Sequence, residues 1–434
     1  MLRSRGLALI TLTALALGAA RVSAQQTTAG RDTAPAKVPF AFGDFTWMNG
    51  QSRQKDFPLA FNKFVTASLY LDTYYSYSTN RPADNTIVGS ATIGRHNEFQ
   101  INLASVGVQA NYRNVLFNLS VQTGDMLNIV QDLDVSALRG RNLTTLNLHN
   151  IREATAGYHF DKDYGLNVEA GIFMSYIGLE SYLVAENWNY HRSLVCDFTP
   201  FYFQGVRVQY FPNEHLKIEP WIMNGWQSYG KFNSAPGVGA SLNYRPTENL
   251  GFIANFYYGE DTPLTPGRKR FHNDHSILYR YYNRPKSGGI THAAFSMNNH
   301  IGFQSGGGVR SDSAYMRGTA IANRVWFNHD RAAFTVRGEY ITNPTRYLSP
   351  PAAFSSTGNQ VSLKIGGVTG TLDIMPTDFM AFRFEAMWRK SNVPYFAGHD
   401  GTTTADQGFP STTPFTPDGV KNQTLLTAAI NFRL

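Results

Sequence analysis

From Phe64 to Leu434 apolar residues recur at every second position, the spacing of a β-strand with one apolar face. Val115, Phe117, Leu119 and Val121 share one side of a segment whose other side holds Asn118, Ser120 and Gln122; only Leu116 is out of phase. Leu166, Val168, Ala170 and Ile172 alternate with Asn167, Glu169 and Gly171. Leu216, Ile218, Pro220 and Ile222 alternate with Lys217, Glu219 and Trp221. Phe334, Val336, Gly338 and Tyr340 alternate with Thr335, Arg337, Glu339 and Ile341. Phe382, Phe384, Ala386 and Trp388 alternate with Arg383, Glu385, Met387 and Arg389.

The connections alternate as well. Short turns are predicted at Tyr112-Arg113-Asn114, Asp161-Lys162-Asp163, Pro212-Asn213-Glu214, Pro246-Thr247-Glu248-Asn249, Asn328-His329-Asp330 and Pro376-Thr377-Asp378, where Pro, Asn and Asp preset tight geometry. Between them run long polar stretches: Ser78–Arg95, Asp125–Asn150, Met174–Pro200, Gln227–Pro236, Glu260–Lys269, Gln304–Ser313, Asn343–Gly358 and Lys390–Val420. Long on one side and short on the other describes an all-β, antiparallel, up-and-down transmembrane barrel, with loops outside the cell and turns in the periplasm. The count comes to about 16 strands, an even number that returns both ends to the periplasm.

The last segment places Leu426, Ala428, Ile430, Phe432 and Leu434 opposite Thr427, Ala429, Asn431 and Arg433. It is expected to close against the first strand, Phe64–Tyr77, because lipid offers no partners for a free edge. Phe271–Tyr282 and Ile290–Phe303 alternate poorly, and Gly366-Gly367 reads as a bulge that switches phase. A soluble sandwich or propeller would also alternate, but it predicts neither the rhythm of connections nor aromatic clusters at strand ends. Tyr74-Tyr75-Tyr77, Tyr210-Phe211 and Tyr257-Tyr258 are such clusters and read as interfacial girdles.

Composition narrows the function. Charged residues are 16% of the chain, aromatics 14%, and there is one cysteine, which rules out an internal disulfide framework. The net charge of +7 is spread along the chain without a basic run, so no nucleic-acid partner is expected. Arg3 and Arg5 precede the apolar stretch Leu7–Ala20 and the small residues Val22-Ser23-Ala24, the layout of a signal peptide over residues 1–24. Residues 25–63 are expected to form a flexible N-terminal leader, with Phe40–Phe61 showing no clear pattern, and residues 64–434 the barrel.

Ala170–Asn213 resembles the OmpL-like β-barrel porin family of bacterial outer membranes. The matching pieces are Gly171-Ile172-Phe173, Tyr176-Ile177-Gly178-Leu179-Glu180-Ser181, Asn187-Trp188, Arg192-Ser193-Leu194 and Thr199-Pro200-Phe201-Tyr202, leading into Gly205-Val206-Arg207. Leu71-Asp72-Thr73-Tyr74-Tyr75, Asn224-Gly225-Trp226-Gln227 and Arg270-Phe271-His272-Asn273 add to the likeness. The resemblance implies an outer-membrane barrel that passes small solutes, and it supplies no catalytic residues.

Other chemistry finds little support. His272-Asn273-Asp274-His275 has metal-ligand residue types, but 272 and 274 share a strand face that 275 does not, so no metal site is expected. No G-x-S-x-G motif occurs, which argues against a hydrolase, and Gln304-Ser305-Gly306-Gly307-Gly308 reads as a flexible loop rather than a phosphate cradle. Cys196 falls in a predicted extracellular loop.

The charges expected to line the pore are Glu169, Arg207, Lys217, Glu219, Arg337, Glu339, Lys364, Arg383 and Glu385. Lys217/Glu219, Arg337/Glu339 and Arg383/Glu385 stand two apart, hence on one face, as compensating pairs that brace a hydrated wall or as a transverse field acting on dipolar solutes. Met174–Pro200 is too apolar for a solvated loop and is expected to fold inward as a constriction, bringing Glu180, Glu186, Arg192 and Asp197 to the narrowest point. Leu179, Tyr182, Leu183 and Glu186 have the spacing of a short helix.

The expected protein is a porin-like channel for passive diffusion of small hydrophilic solutes, not an enzyme, with no cofactor. Its partners would be outer-membrane lipid, the solutes, and the barrel-assembly machinery during biogenesis. A barrel acting as a surface receptor or adhesin through its long loops is the alternative.

Overall fold

The computed structural model describes residues 37–130, 134, 148–231, 235–263, 265–344, 362–400 and 418–434. The proposed signal peptide and the start of the leader lie outside the described residues. In chain order the first strands are β1 (Val65–Ser78), β2 (Phe99–Tyr112), β3 (Val115–Thr123), β4 (Ile151–Phe160) and β5 (Leu166–Met174). There follow β6 (Tyr202–Asn213), β7 (Leu216–Met223), β8 (Gly237–Thr247), β9 (Leu250–Gly259), β10 (Lys269–Asn283) and β11 (Ile290–Ser305). The remainder are β12 (Tyr315–Phe327), β13 (Ala332–Asn343), β14 (Leu363–Thr377), β15 (Met380–Ser391) and β18 (Asn422–Arg433). Each pairs antiparallel with its neighbours in sequence, and β18 pairs with both β15 and β1, closing a barrel of 16 strands. A two-residue hairpin, β16 (Phe396–Ala397) with β17 (Gly419–Val420), sits in the loop before β18.

Turn chemistry fixes one rim. Between Tyr112 and Val115 the chain reverses in two residues, Arg113 and Asn114, both with positive φ, the hairpin turn whose twist matches the strands. Long connections all leave from the opposite rim. Alternation along β13 is complete: Phe334, Val336 and Tyr340 point outward, and Thr335, Arg337, Glu339 and Ile341 are buried inside.

Several local readings change. β13 and β14 pair without a register shift through Gly366 and Gly367, so no bulge lies there. Leu363 and Ile365 point inward, where they pack on the inward-folded chain with Ile341 and Met316. Apolar residues occupying both faces of β14 mimic a change of phase. Weak alternation in β10 and β11 has a related cause: Asn299 faces outward and accepts a hydrogen bond from Thr319 Oγ1 at 2.7 Å, and exposed His275 stands opposite Asn299. The tyrosine clusters split between faces, as adjacent strand residues must. Tyr74 and Tyr257 are buried inside, whereas Tyr258 is exposed outside. The glycine run 306–308 forms a tight turn bridged by Gly306 and Val309.

The lumen is packed. Loop 175–201 runs through it, loop 79–98 enters from the long-loop rim, and residues 40–54 enter from the short-turn rim. That last segment was read as part of a flexible leader, yet Trp47, Met48 and Asn49 are buried. Its backbone and side chains bond the rim: Trp47 Nε1 donates to the Glu248 carbonyl at 3.1 Å, Arg53 Nη2 to that of Met380 at 2.5 Å, and Gln54 Nε2 to that of Arg433 at 3.3 Å. Trp47 and Met48 then join Leu179 and Trp188 of the loop, and Leu278 and Trp326 of the wall, in one apolar cluster.

Candidate functional site

Loop 175–201 crosses the lumen in a series of bends with little regular structure, so most of its amides and carbonyls have no ladder of their own and need partners inside the barrel. The wall supplies them. Arg383 Nη1 donates to the Val184 carbonyl at 2.7 Å, and Nη2 to those of Asn187 at 2.9 Å and Trp188 at 3.0 Å. Arg324 Nη1 also reaches the Trp188 carbonyl, at 2.9 Å. Arg337 Nη1 takes the His191 carbonyl at 2.7 Å, and Arg389 Nη2 that of Arg192 at 3.1 Å. Carboxylates accept the amides: Glu385 from Tyr190 and His191 at 2.6 and 2.9 Å, and Glu339 from Leu194 at 2.8 Å.

The same groups are paired with one another. Asp373 bridges Arg383 at 2.8 Å and Arg324 at 2.6 Å; Glu339 bridges Arg389 at 2.8 Å. Arg337 pairs with Glu180 of the loop at 3.1 Å, and Glu385 with His191 at 2.6 Å. Continuing round the barrel past β18, Asp72 on β1 accepts from Asn102 at 2.7 Å, Asn431 at 2.6 Å and the Tyr190 hydroxyl at 3.1 Å. Charges stripped of water are tolerated here because nearly every one is both paired and hydrogen-bonded.

One short helix was expected in the loop, over 179–186. It is absent; only a single turn, Val184–Glu186, forms there. A four-residue helix, α1 (Leu194–Asp197), follows instead and presses Leu194, Val195 and Cys196 onto Met316, Ile341 and Ile365. Cys196 therefore lies inside the barrel rather than on a surface loop, and burial pushes its thiol up to about 12. Burial also pushes Asp197 up to about 6 against the pull of Arg192 and Arg389. Its carboxylate accepts the Ala91 amide of loop 79–98 at 3.1 Å.

Of the residues expected along the pore, Glu169, Arg207, Lys217, Glu219, Arg337, Glu339, Arg383 and Glu385 do point inward. Glu169 pairs with Arg207 at 2.9 Å across β5–β6, and Lys217 with Glu219 at 2.7 Å along β7. Lys364 does not: it is exposed on the outer face of β14, because the strand keeps one phase throughout. Arg337, Glu339, Arg383 and Glu385 were expected to face water, yet they are packed under the loop with side chains at most 2% exposed. Arg383 and Glu385 serve separate partners rather than each other. Of the expected loop charges, Glu180, Arg192 and Asp197 are buried in the lumen, and Glu186 pairs with Arg433 near the short-turn rim.

Sequence reasoning missed Asp72, Arg324 and Asp373. Asp72 stood in plain view within Leu71-Asp72-Thr73-Tyr74-Tyr75, a charge on the inward phase of an aromatic strand. Arg324 was hidden because Ala320, Ala322 and Trp326 share its inward face, so β12 shows no polar side.

The loop makes most of its charged contacts with β12–β15. Elsewhere it is held by Tyr176 Oη, which donates to the Phe256 carbonyl at 2.7 Å, by the Gly178 amide, which donates to Asp274 at 3.0 Å, and by Tyr182 Oη, which donates to Gln122 at 3.0 Å. Open space remains beside β7–β9. A cavity of about 190 Å³ is bounded by the loop (Glu180, Tyr182, Arg192), by Gly50 and Gln51, and by Lys217, Ser241, Asn243 and Ile253 of β7–β9. Among the described residues no three His, Cys, Asp or Glu side chains converge as metal ligands. His272 bonds His300 at 3.0 Å, while His275 is exposed on the outside.

A closed barrel of 16 antiparallel strands with long loops at one rim, one of them folded into a charged lumen, defines a porin-like channel of the outer membrane. The chain belongs to the family described as "Putative beta-barrel porin-2, OmpL-like", whose model matches residues 64–434. OprB of Pseudomonas putida superimposes with a TM-score of 0.50 at 10% identity, over 86% of this chain and 94% of that one. OmpF of Salmonella typhi, solved with daunomycin, gives 0.50 at 10% identity, over 85% and 97%. At such identities the likeness bears on fold alone. No curated protein matches the sequence.

Proposed function

We propose that this barrel sits in the outer membrane after signal-peptide cleavage and passes small hydrophilic solutes down their gradients, with loop 175–201 as its constriction. The observation that carries the reading is asymmetry. The four arginines that hold the loop backbone, Arg324, Arg337, Arg383 and Arg389, all stand on β12–β15, and the cavity lies beside Lys217, Ser241 and Asn243 of β7 and β8. A narrow route on one side of a fixed loop gives low conductance and strong sensitivity to solute size. Charge at such a narrowing acts on solutes through a focused field.

Refolded protein in a planar bilayer should give small, discrete current steps. Deleting Leu179–Arg192 should raise the step size and weaken ion selectivity. A correctly closed barrel that passes no current, before or after the deletion, would favour the receptor or adhesin reading.

A further inference from the structure

We infer that the cavity beside the loop is a binding site for a small organic anion, a carboxylate on an apolar or aromatic body, held by Arg192. The inference deepens the channel reading and rests on it for its physiological meaning: the site would be where such a solute pauses in transit.

Arg192 is 2% exposed and lines the cavity. It is held from three sides: its amide donates to Thr92 Oγ1 at 3.0 Å, Nη2 donates to the Cys196 carbonyl at 3.1 Å, and the guanidinium stacks 4.3 Å over the Phe201 ring. Among the described residues, Nε and Nη1 have no hydrogen-bond partner. Every other arginine tied to the loop has, among the described residues, a carboxylate partner: Arg324, Arg337, Arg383, Arg389 and Arg433. A buried cation with unused donors is costly, and a carboxylate is the group that a guanidinium binds best.

The charge around the cavity points the same way. Its second cation, Lys217, is paired with Glu219 at 2.7 Å. Its acid, Glu180, is already engaged: one oxygen accepts the Ser193 amide and hydroxyl at 2.5 and 2.7 Å, and the other accepts Arg337 at 3.1 Å. Of the charged groups in the lining, Arg192 is therefore the one outside an ion pair among the described residues. Tyr182, Phe201 and Ile253 give it an apolar flank, and Ser241 and Asn243 a polar one. At about 190 Å³ it accepts a small molecule and no polymer.

Calorimetry on the refolded, detergent-solubilised protein tests this with benzoate and its neutral isostere benzamide. Benzoate should bind roughly tenfold more tightly than benzamide, a difference set by the charged pair. Arg192→Gln should abolish that preference in protein whose heat-modifiable gel migration shows a closed barrel. Lys217→Gln, on a wall strand, should reduce it without abolishing it, and provides the test if Arg192→Gln does not fold. Equal binding of the two compounds to the unaltered protein, or a preference that survives Arg192→Gln, would overturn the site. Benzoate preference in a barrel that carries no current would retain the site and defeat the channel; current without that preference would do the reverse.

Discussion

Arg383 donates to Asp373 and to three loop carbonyls, so one side chain replaces the neighbouring strand that an isolated segment inside a barrel lacks. Arg383→Met should strand Asp373 and those carbonyls together, at about 3–5 kcal/mol, the usual cost of breaking a buried pair from one side. The fall in guanidinium midpoint of the refolded protein measures it; an unchanged midpoint would mean the tether adds nothing. Asp197 gives a pH signature. Its folded-state value of about 6 exceeds the ordinary 3.8, so the docked loop binds the proton more tightly than the released loop. That contribution is complete below about pH 4 and is lost as pH rises through 6. Asp197→Asn should therefore flatten the decline in thermal midpoint between pH 4 and 7, read as the difference from the parent protein. Cys196, buried and with its thiol held protonated, should resist a membrane-impermeant maleimide until the barrel is unfolded. Which way these residues point was legible from period two, since a strand residue has only two choices. What they touch was not, because partners on a loop more than a hundred residues away leave no trace in local spacing.

Among the elements, strands were readable where one face met the packed lumen through polar groups and the other was apolar. β13 and β15 satisfy that rule and were read correctly, residue by residue. β12 and β14 break it, because their inward faces at the long-loop rim carry Met316, Ile365 and Leu363 to cover α1. The N-terminal segment was illegible for a different reason: it has no regular structure and derives its order from contacts with the rim. Gly50 is its tightest point, with φ +78° and a position where an added Cβ would sit 2.1 Å from the Leu179 carbonyl oxygen. Gly50→Val should dislodge the segment from the loop. Trypsin should then cut after Arg53, which is otherwise tied to Met380, several times faster than in the parent protein. Equal cleavage rates would show that the segment is held by the rim alone.

For the whole molecule, the outward apolar surface and the closed strand order set where a charge can be placed. Val336 is 44% exposed on the outer face of β13. An arginine there should cost about 2–4 kcal/mol when folding into lipid vesicles is titrated with denaturant, the penalty for a midplane lipid contact. The neighbouring inward site Thr335 would not be a cheap control, since the lumen at that height is filled. Arg207 and Lys217, with side chains 24% and 21% exposed, are the inward positions where a cysteine should still meet an aqueous reagent.

The ties between loop and wall also impose an order of events on biogenesis. The bond from Arg383 to Val184 joins residues 199 positions apart, and that from Arg337 to His191 spans 146. Hairpin β5–β6 closes over far shorter separations than these, so contact order puts docking of the loop after the pairing of β13–β15. Docking is then the last step rather than the nucleus, paid for by long-range closure. A nascent barrel would accordingly be a wider opening than the finished one. In a refolding time course, strand circular dichroism should reach its plateau before Cys196 becomes protected from maleimide; simultaneous appearance would mean that wall and loop form together.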